Sequence, residues 1–333
     1  MSDAAAEAPG PRFWRLWRAL RHNLLLRRLV QALPVLAFAT FVVFGLLKLV
    51  PGDVAIALAG DNPSDARLAE IRHLYGLDRP FLVQYGSWLW HAVQGDLAKS
   101  LLSGESVRVS IGQSLPHTLL IVVMALVISV AVGVPLGMLA AARRGRWVDG
   151  LVMTIASLGV AVPNFWLAMV LIVGFALTLN WLPATGAVSF GVDPLDAMRH
   201  ALLPALALAA SGVAELSRQL RSSLVDMLSS QQVRTLHAKG LSPASILWKH
   251  GLRNVGTNLL TVIALLANRM LAATVVIEAV FAIPGTGSLI VNAVLTRDYP
   301  VVQGVVFVMV LMVIAINLVA DILVGLVDPR LAR

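Results

Sequence analysis

The sequence predicts an all-α polytopic membrane protein with six transmembrane helices. Composition is the first observation: 58% of the 333 residues are hydrophobic and 13% are charged, whereas a soluble domain is about half apolar and about a quarter charged. The second is a set of six apolar runs, near 30–50, 117–141, 163–180, 202–221, 256–278 and 301–326, close to the roughly 17–25 residues that a spanning helix needs. The third is that Lys and Arg collect beside alternate connections. A single membrane domain over 30–333 follows, with no room for a separate large soluble one.

Residues 1–29 form the first element. "RFWRLWRALRHNLLLRRL" (12–29) interleaves Arg with Trp14, Leu16, Trp17 and Leu20, the pattern of an amphipathic helix at the membrane interface. The run that follows is too long for a signal-peptide core and no small-residue cleavage site clearly follows it, so it reads as a retained span. Residues 51–116 carry turn signals and mixed polarity, "PGD" (51–53), "DNPSD" (61–65) and "YGLDRPFLVQYGSWLW" (75–90). They read as an external loop large enough for a small cap. The stretch 150–162 is apolar and stops at Pro163. With the third run it is too long for one crossing and too short for two, so a helix lying low on the cytoplasmic side is expected there.

Sidedness follows from the cations. Arg12, Arg15, Arg18, Arg21, Arg27 and Arg28 precede the first span. Arg143, Arg144 and Arg146 join the second to the third. Arg234, Lys239, Lys249 and Arg253, flanked by Arg218 and Arg221, join the fourth to the fifth, and Arg330 and Arg333 close the tail. The two short opposite loops hold only Arg199 and Arg297. Both termini are therefore expected in the cytoplasm. The net charge of +8 is accounted for by these flanks without nucleic acid. The chain has no cysteine, which excludes disulfides and thiolate chemistry.

The fourth–fifth connection, 222–255, exceeds thirty residues, where about 4–6 would join two helices. Asp226 to Ala238 has helical character. Gly240 suits the left-handed residue beyond a helix end, and Ser242-Pro243 is an N-cap followed by a favoured first helical residue. The expectation is a firm capped knob. It either carries motion from a partner into the membrane or is a surface loop holding topogenic cations.

Polar groups inside the runs are costly and so informative. Glu215, Arg269 and Asp321 are ionisable; Asn268 and Asn317 add hydrogen-bonding capacity. They line a solute pathway or hold helices together. Measured from Arg221 and Gly256 as span edges, Glu215 is about 9 Å deep and Arg269 about 20 Å at the helical rise, a gap that a direct ion pair has to close by tilt and side-chain reach. Catalytic motifs are absent. No GxxxxGK[ST] is present, so the chain does not itself hold and hydrolyse ATP. The seven His residues show no ligand spacing, and no metal site or catalytic residue is expected. A stand-alone secondary transporter is the alternative reading, but the inverted repeat it calls for is not visible.

"VRTLHAKGL" (233–241) followed by "HGLRN" (250–254) resembles the cytoplasmic loop of binding-protein-dependent ABC importer permeases, closest to the dipeptide/oligopeptide/nickel subfamily. "LVPGD" (49–53), "GDLAKS" (95–100), "LPHTL" (115–119), "EAVFAIPGTG" (278–287), "RDYPVVQG" (297–304) and "NLVADILVGLVDPR" (317–330) extend the resemblance, in order and spacing, over nearly the whole chain. It implies the type I ABC importer permease fold and a role in moving short peptides or similar small solutes by alternating access. It implies as partners a second homologous permease, two ATP-binding subunits that hold ATP and Mg, and an external substrate-binding protein, in a bacterial cytoplasmic membrane. By position, Thr235, Leu236, His237, Ala238, Lys239, Gly240, Leu241 and Ser242 would form the helix that couples to the ATPase. Leu236 and His237 stand where that family often has Ala and Arg, and Ala98 where it has Gly. Glu215 and Arg269 fall where it is usually apolar or small.

Overall fold

The computed structural model describes residues 24–49, 64–74, 76 and 78–327. The expected interfacial helix up to residue 23, the "PGD" and most of the "DNPSD" turn signals, and the tail cations Arg330 and Arg333 lie outside the described residues.

Among the described residues, eleven helices make up the fold. They are α1 (Leu24–Leu49), α2 (Asp65–Leu74), α3 (Phe81–Val93), α4 (Val107–Ala142), α5 (Trp147–Ala161) and α6 (Asn164–Leu171, continued by a wider π turn at Ile172–Thr178). After them come α7 (Pro194–Leu228), α8 (Gln231–Ala238), α9 (Pro243–Val280, with a π segment at Ile246–Gly251), α10 (Thr286–Leu295) and α11 (Tyr299–Val327). α1, α4, α7, α9 and α11 are each long and apolar enough to cross a membrane. The pair α5–α6 makes the sixth candidate span, bent by 97°. Pro163 sets that bend: it caps α6 in an extended conformation and disfavours helix at the residue before it. By length and composition the described helices can cross a membrane five times, or six if the bent pair is one span.

Several helices outrun the apolar runs that announced them. α4 starts at Val107, so the stretch expected to end at 116 as external loop already contains its first turns. α7 runs from Pro194, where Asp193 accepts the Leu195 and Asp196 N–H groups at 3.0 Å, to Leu228. α9 begins at Pro243, well before the expected edge at 256. Hydropathy marks only the lipid-facing middle of a helix, and caps mark its ends.

α4 and α7 form the central pair. A Cβ on Gly137 would stand 2.7 Å from the Ser217 carbonyl oxygen and 3.1 Å from Leu220 Cβ, so the two backbones pass closer than a side chain permits, as small residues allow in membranes. Ile121, Ala125, Leu203, Leu208, Met270, Leu271 and Phe281, contributed by α4, α7 and the α9 end, pack into the main buried cluster. A second cluster joins α1, α3, α10 and α11 around Leu36, Ala92, Val305 and Phe307.

Candidate functional site

The 229–242 turn region is built as a rigid corner. The helix expected over Asp226–Ala238 is broken: α7 ends at Leu228 and Ser230 turns extended (φ −73°, ψ 155°) as the N-cap of α8. At the other end of α8, Gly240 adopts φ +80°. Its N–H bonds to the His237 carbonyl at 2.9 Å, and the Leu241 N–H bonds to the Leu236 carbonyl at 3.2 Å. These two bonds define a Schellman motif. Two residues on, the Ser242 hydroxyl accepts the Ser245 N–H at 3.3 Å and Pro243 opens α9. Buried Val233, Ile246 and Leu247 anchor the corner. Thr235, His237, Ala238, Lys239, Gly240 and Ser242 are exposed, while Leu236 and Leu241 are half-buried. The eight residues that the sequence grouped thus form one capped surface.

From this corner a polar seam rises between α7 and α9. Asn254 faces Gln232 at 3.4 Å, and Asn258 donates to Ser223 at 2.8 Å. Higher still, Arg269 donates through Nη1 to both Glu215 oxygens, at 2.8 and 2.7 Å. Asn268 donates to Asn317 of α11 at 3.0 Å. The sequence-derived depth gap is therefore smaller than stated. Asn258 is level with Ser223; from that pair Glu215 is eight residues away and Arg269 eleven, a difference of about 4.5 Å at the helical rise. Asp321 does not join this group. Its carboxylate takes Arg28 Nε of α1 at 2.9 Å, fastening the first long helix to the last.

Two charged groups that sequence reasoning did not single out hold the frame. Asp149, at the start of α5, accepts Arg221 Nε at 2.9 Å, Arg221 Nη2 at 2.6 Å and the Gly145 N–H at 2.9 Å. Arg221, read from the sequence as a topogenic cation, is thus also a structural partner. Glu278, at the opposite end of the bundle, is fully buried. It accepts the Thr118 hydroxyl at 2.6 Å and the Ser288 N–H at 2.9 Å, and Thr118 also accepts the Thr286 N–H at 2.9 Å. The "LPHTL" and "EAVFAIPGTG" stretches therefore meet at one carboxylate. The only sequence signal was a Glu and two Thr within apolar surroundings.

The "GDLAKS" and "RDYPVVQG" stretches meet as well: buried Asp298 accepts the Ser100 hydroxyl and, at 3.2 Å, the Leu101 N–H. Beside them α3 packs on α1 through Phe41, Phe44, Phe81, Tyr85 and Trp88, and Tyr85 donates to the Ala37 carbonyl at 2.7 Å. A cavity of about 260 Å³ opens there, with Lys48, Arg79, Trp88, Tyr299 and Gln303 in its wall. Among the described residues no three His, Cys, Asp or Glu side chains are grouped to hold a metal ion.

Residues 133–333 match the family model described as binding-protein-dependent transport system inner membrane component, and residues 21–121 match the model of its N-terminal part. A Brucella abortus (strain 2308) relative, named for the permease of a peptide transport system, is 41% identical over 92% of this chain and 98% of its own length. The oligopeptide transport system permease protein AppB of Bacillus subtilis (strain 168) is 34% identical over 92% of this chain and 98% of its own. The glutathione transport system permease protein GsiC of Salmonella paratyphi A is 37% identical over 93% and 98%. Among solved structures, the fold is similar to a chain of the MetNI methionine ABC transporter in an inward-facing conformation, with a TM-score of 0.55 over 66% of this chain and 96% of that one, at 16% identity.

Proposed function

The chain belongs to the family of binding-protein-dependent transport system inner membrane components, and on that premise we propose that it translocates short peptides or similar small solutes by alternating access. It is the permease subunit of an ATP-driven importer. ATP and Mg are held by two partner ATP-binding subunits, and this chain carries no catalytic residue. A second homologous permease completes the membrane part, and an external binding protein delivers the solute to the end of the bundle where Asp298 and Glu278 lie. Both termini and the 229–242 corner face the cytoplasm.

The observation that carries this reading is the corner itself. A Schellman turn and an N-cap, back to back, fix Thr235–Ser242 between the short α8, which follows α7 after a tight turn at Ser229–Ser230, and the long α9. A push on that surface displaces α7 and α9 as rigid bodies instead of being absorbed by a flexible loop. ATP-driven closure of the partner subunits then reaches the seam between the two helices. The relatives' names support a peptide-like solute, and the polar seam supports a hydrated route for it.

The test is reconstitution in vesicles. With both membrane chains, the ATP-binding chains and the binding protein, labelled dialanine should enter only when ATP is supplied. Uptake by this chain alone, without ATP, would instead establish a secondary transporter.

A further inference from the structure

We infer that Arg269 and Glu215 form a zwitterion-binding locus, in which Arg269 takes the carboxylate of the solute and Glu215 its ammonium group. The inference rests on the importer reading above and adds the chemistry by which this chain recognises what passes.

Position comes first. α9 has 38 residues, about 57 Å of helix, against a hydrocarbon core of about 30 Å. Arg269 stands eleven residues before Val280, about 16 Å from that end, so it lies within the core. Its side chain is nevertheless 64% exposed and that of Glu215 29% exposed. A guanidinium so exposed at that depth is not turned to lipid, where charge is expensive. It faces water or protein. The neighbours agree: Asn254, Asn258, Thr261, Leu265 and Arg269 are exposed at helical spacing along α9, and four of these five are polar. The stripe leads from the 229–242 corner to the ion pair and stops there, since the next exposed positions on that face are Ala272 and Val276.

Geometry comes second. Both bonds to Glu215 leave from one nitrogen, Nη1. Among the described residues, Nε and Nη2 have no acceptor. That edge of a guanidinium is the fork that matches a carboxylate through two parallel bonds. The Glu215 oxygens each keep capacity for a further donor, and an ammonium group brings three. In the empty state each charge satisfies the other, which avoids a lone charge in a low-dielectric site. A zwitterionic solute adds its carboxylate to one and its ammonium to the other, so that the four charges alternate. A peptide with two free termini has this chemistry; one with either terminus blocked lacks half of it.

The experiment uses the complete importer in vesicles, with dialanine, dialanine amide and N-acetyl-dialanine as probes. Variants are Arg269→Gln, Glu215→Gln and both together. We expect uptake of dialanine to fall by about tenfold or more in all three, as for a site that loses a polar contact with its substrate. Arg269→Gln should erase the preference for dialanine over its amide, and Glu215→Gln the preference over the acetylated form. A double variant that transports dialanine at the wild-type rate overturns the inference, because a pair that only ties helices becomes dispensable once both charges are gone. Preferences that survive each single variant overturn it too. Failure of the wild-type complex to import dialanine would instead sink the importer reading, and the locus with it.

Discussion

Arg221 grips Asp149 through two parallel hydrogen bonds, Nε to Oδ1 at 2.9 Å and Nη2 to Oδ2 at 2.6 Å, across 72 residues of sequence. The pair pins the start of α5 to α7 just before the 229–242 corner. It explains why the short "ARRGRWVD" connection turns where it does: the same carboxylate accepts the Gly145 N–H.

Breaking one side of this pair should be worse than removing both. Asp149 is buried while Arg221 keeps 27% of its side-chain surface, so Asp149→Leu should cost about 3 kcal/mol, the lower end for an orphaned buried charge. Asp149→Leu with Arg221→Met should recover most of that. Thermal unfolding of the purified complex measures both, and equal losses in the single and double variants would refute the pairing energy.

Gly240→Val should uncouple the importer without unfolding it. A Cβ on Gly240 meets nothing within 4 Å, so only the left-handed backbone objects, at about 1–2 kcal/mol for a side-chain-bearing residue. The cost falls on the Schellman turn, not on the bundle. Uptake and binding-protein-stimulated ATP hydrolysis should drop together while assembly persists, and Gly240→Asn, which tolerates that conformation, should lose less. Wild-type transport by the Val variant would end the coupling proposal.

Ala98→Gly should stabilise the chain. Ala98 sits at φ +65° in the turn that delivers Ser100 to Asp298. The strain of about 1–2 kcal/mol outweighs the unfolded-state entropy of about 0.5–1 kcal/mol that glycine adds. A gain of roughly 0.5–1 kcal/mol, seen as a higher melting temperature, is expected; a lower one would mean that the methyl packs usefully.

Gly137→Leu should prevent the α4–α7 pair from closing. Its Cβ would meet the Ser217 backbone 2.7 Å away, which cannot swing aside, and overpacking of that kind costs about 1–3 kcal/mol or more. Gly150→Ala is the control: its Cβ meets nothing within 4 Å, and Ala is the better helix former by about 1 kcal/mol. Detergent-extracted yield of folded chain distinguishes the two.

Much of the architecture could be read from local chemistry. Apolar runs located the five long spanning helices because lipid imposes its demand residue by residue. The third run is helical only over 164–178 and makes a candidate span only together with 147–161. Gly240 and Ser242 announced their caps because capping is local. What escaped was relational. Glu278 did not stand out in the sequence because its donor Thr118 is 160 residues away. The depth of Arg269 was overestimated relative to Glu215 because Arg221 and Gly256 were used as level marks, whereas the Ser223–Asn258 bond sets the register. The strain at Ala98, where the resembled family has Gly, was not legible because a sequence does not reveal a dihedral angle.

The Glu278 carboxylate also bears on how this protein can be taken apart. The two family models meet between residues 121 and 133, a boundary inside α4, the longest uninterrupted helix. Thr118 lies on one side of it and Glu278, Thr286 and Ser288 on the other. A fragment starting at 133 would carry a buried acid stripped of its hydroxyl donor, and a fragment ending at 121 would carry Ser100 without Asp298. Two stretches that evolution's record separates are, for the folding chain, a single indivisible object, and fragments divided at that boundary should survive only when made together.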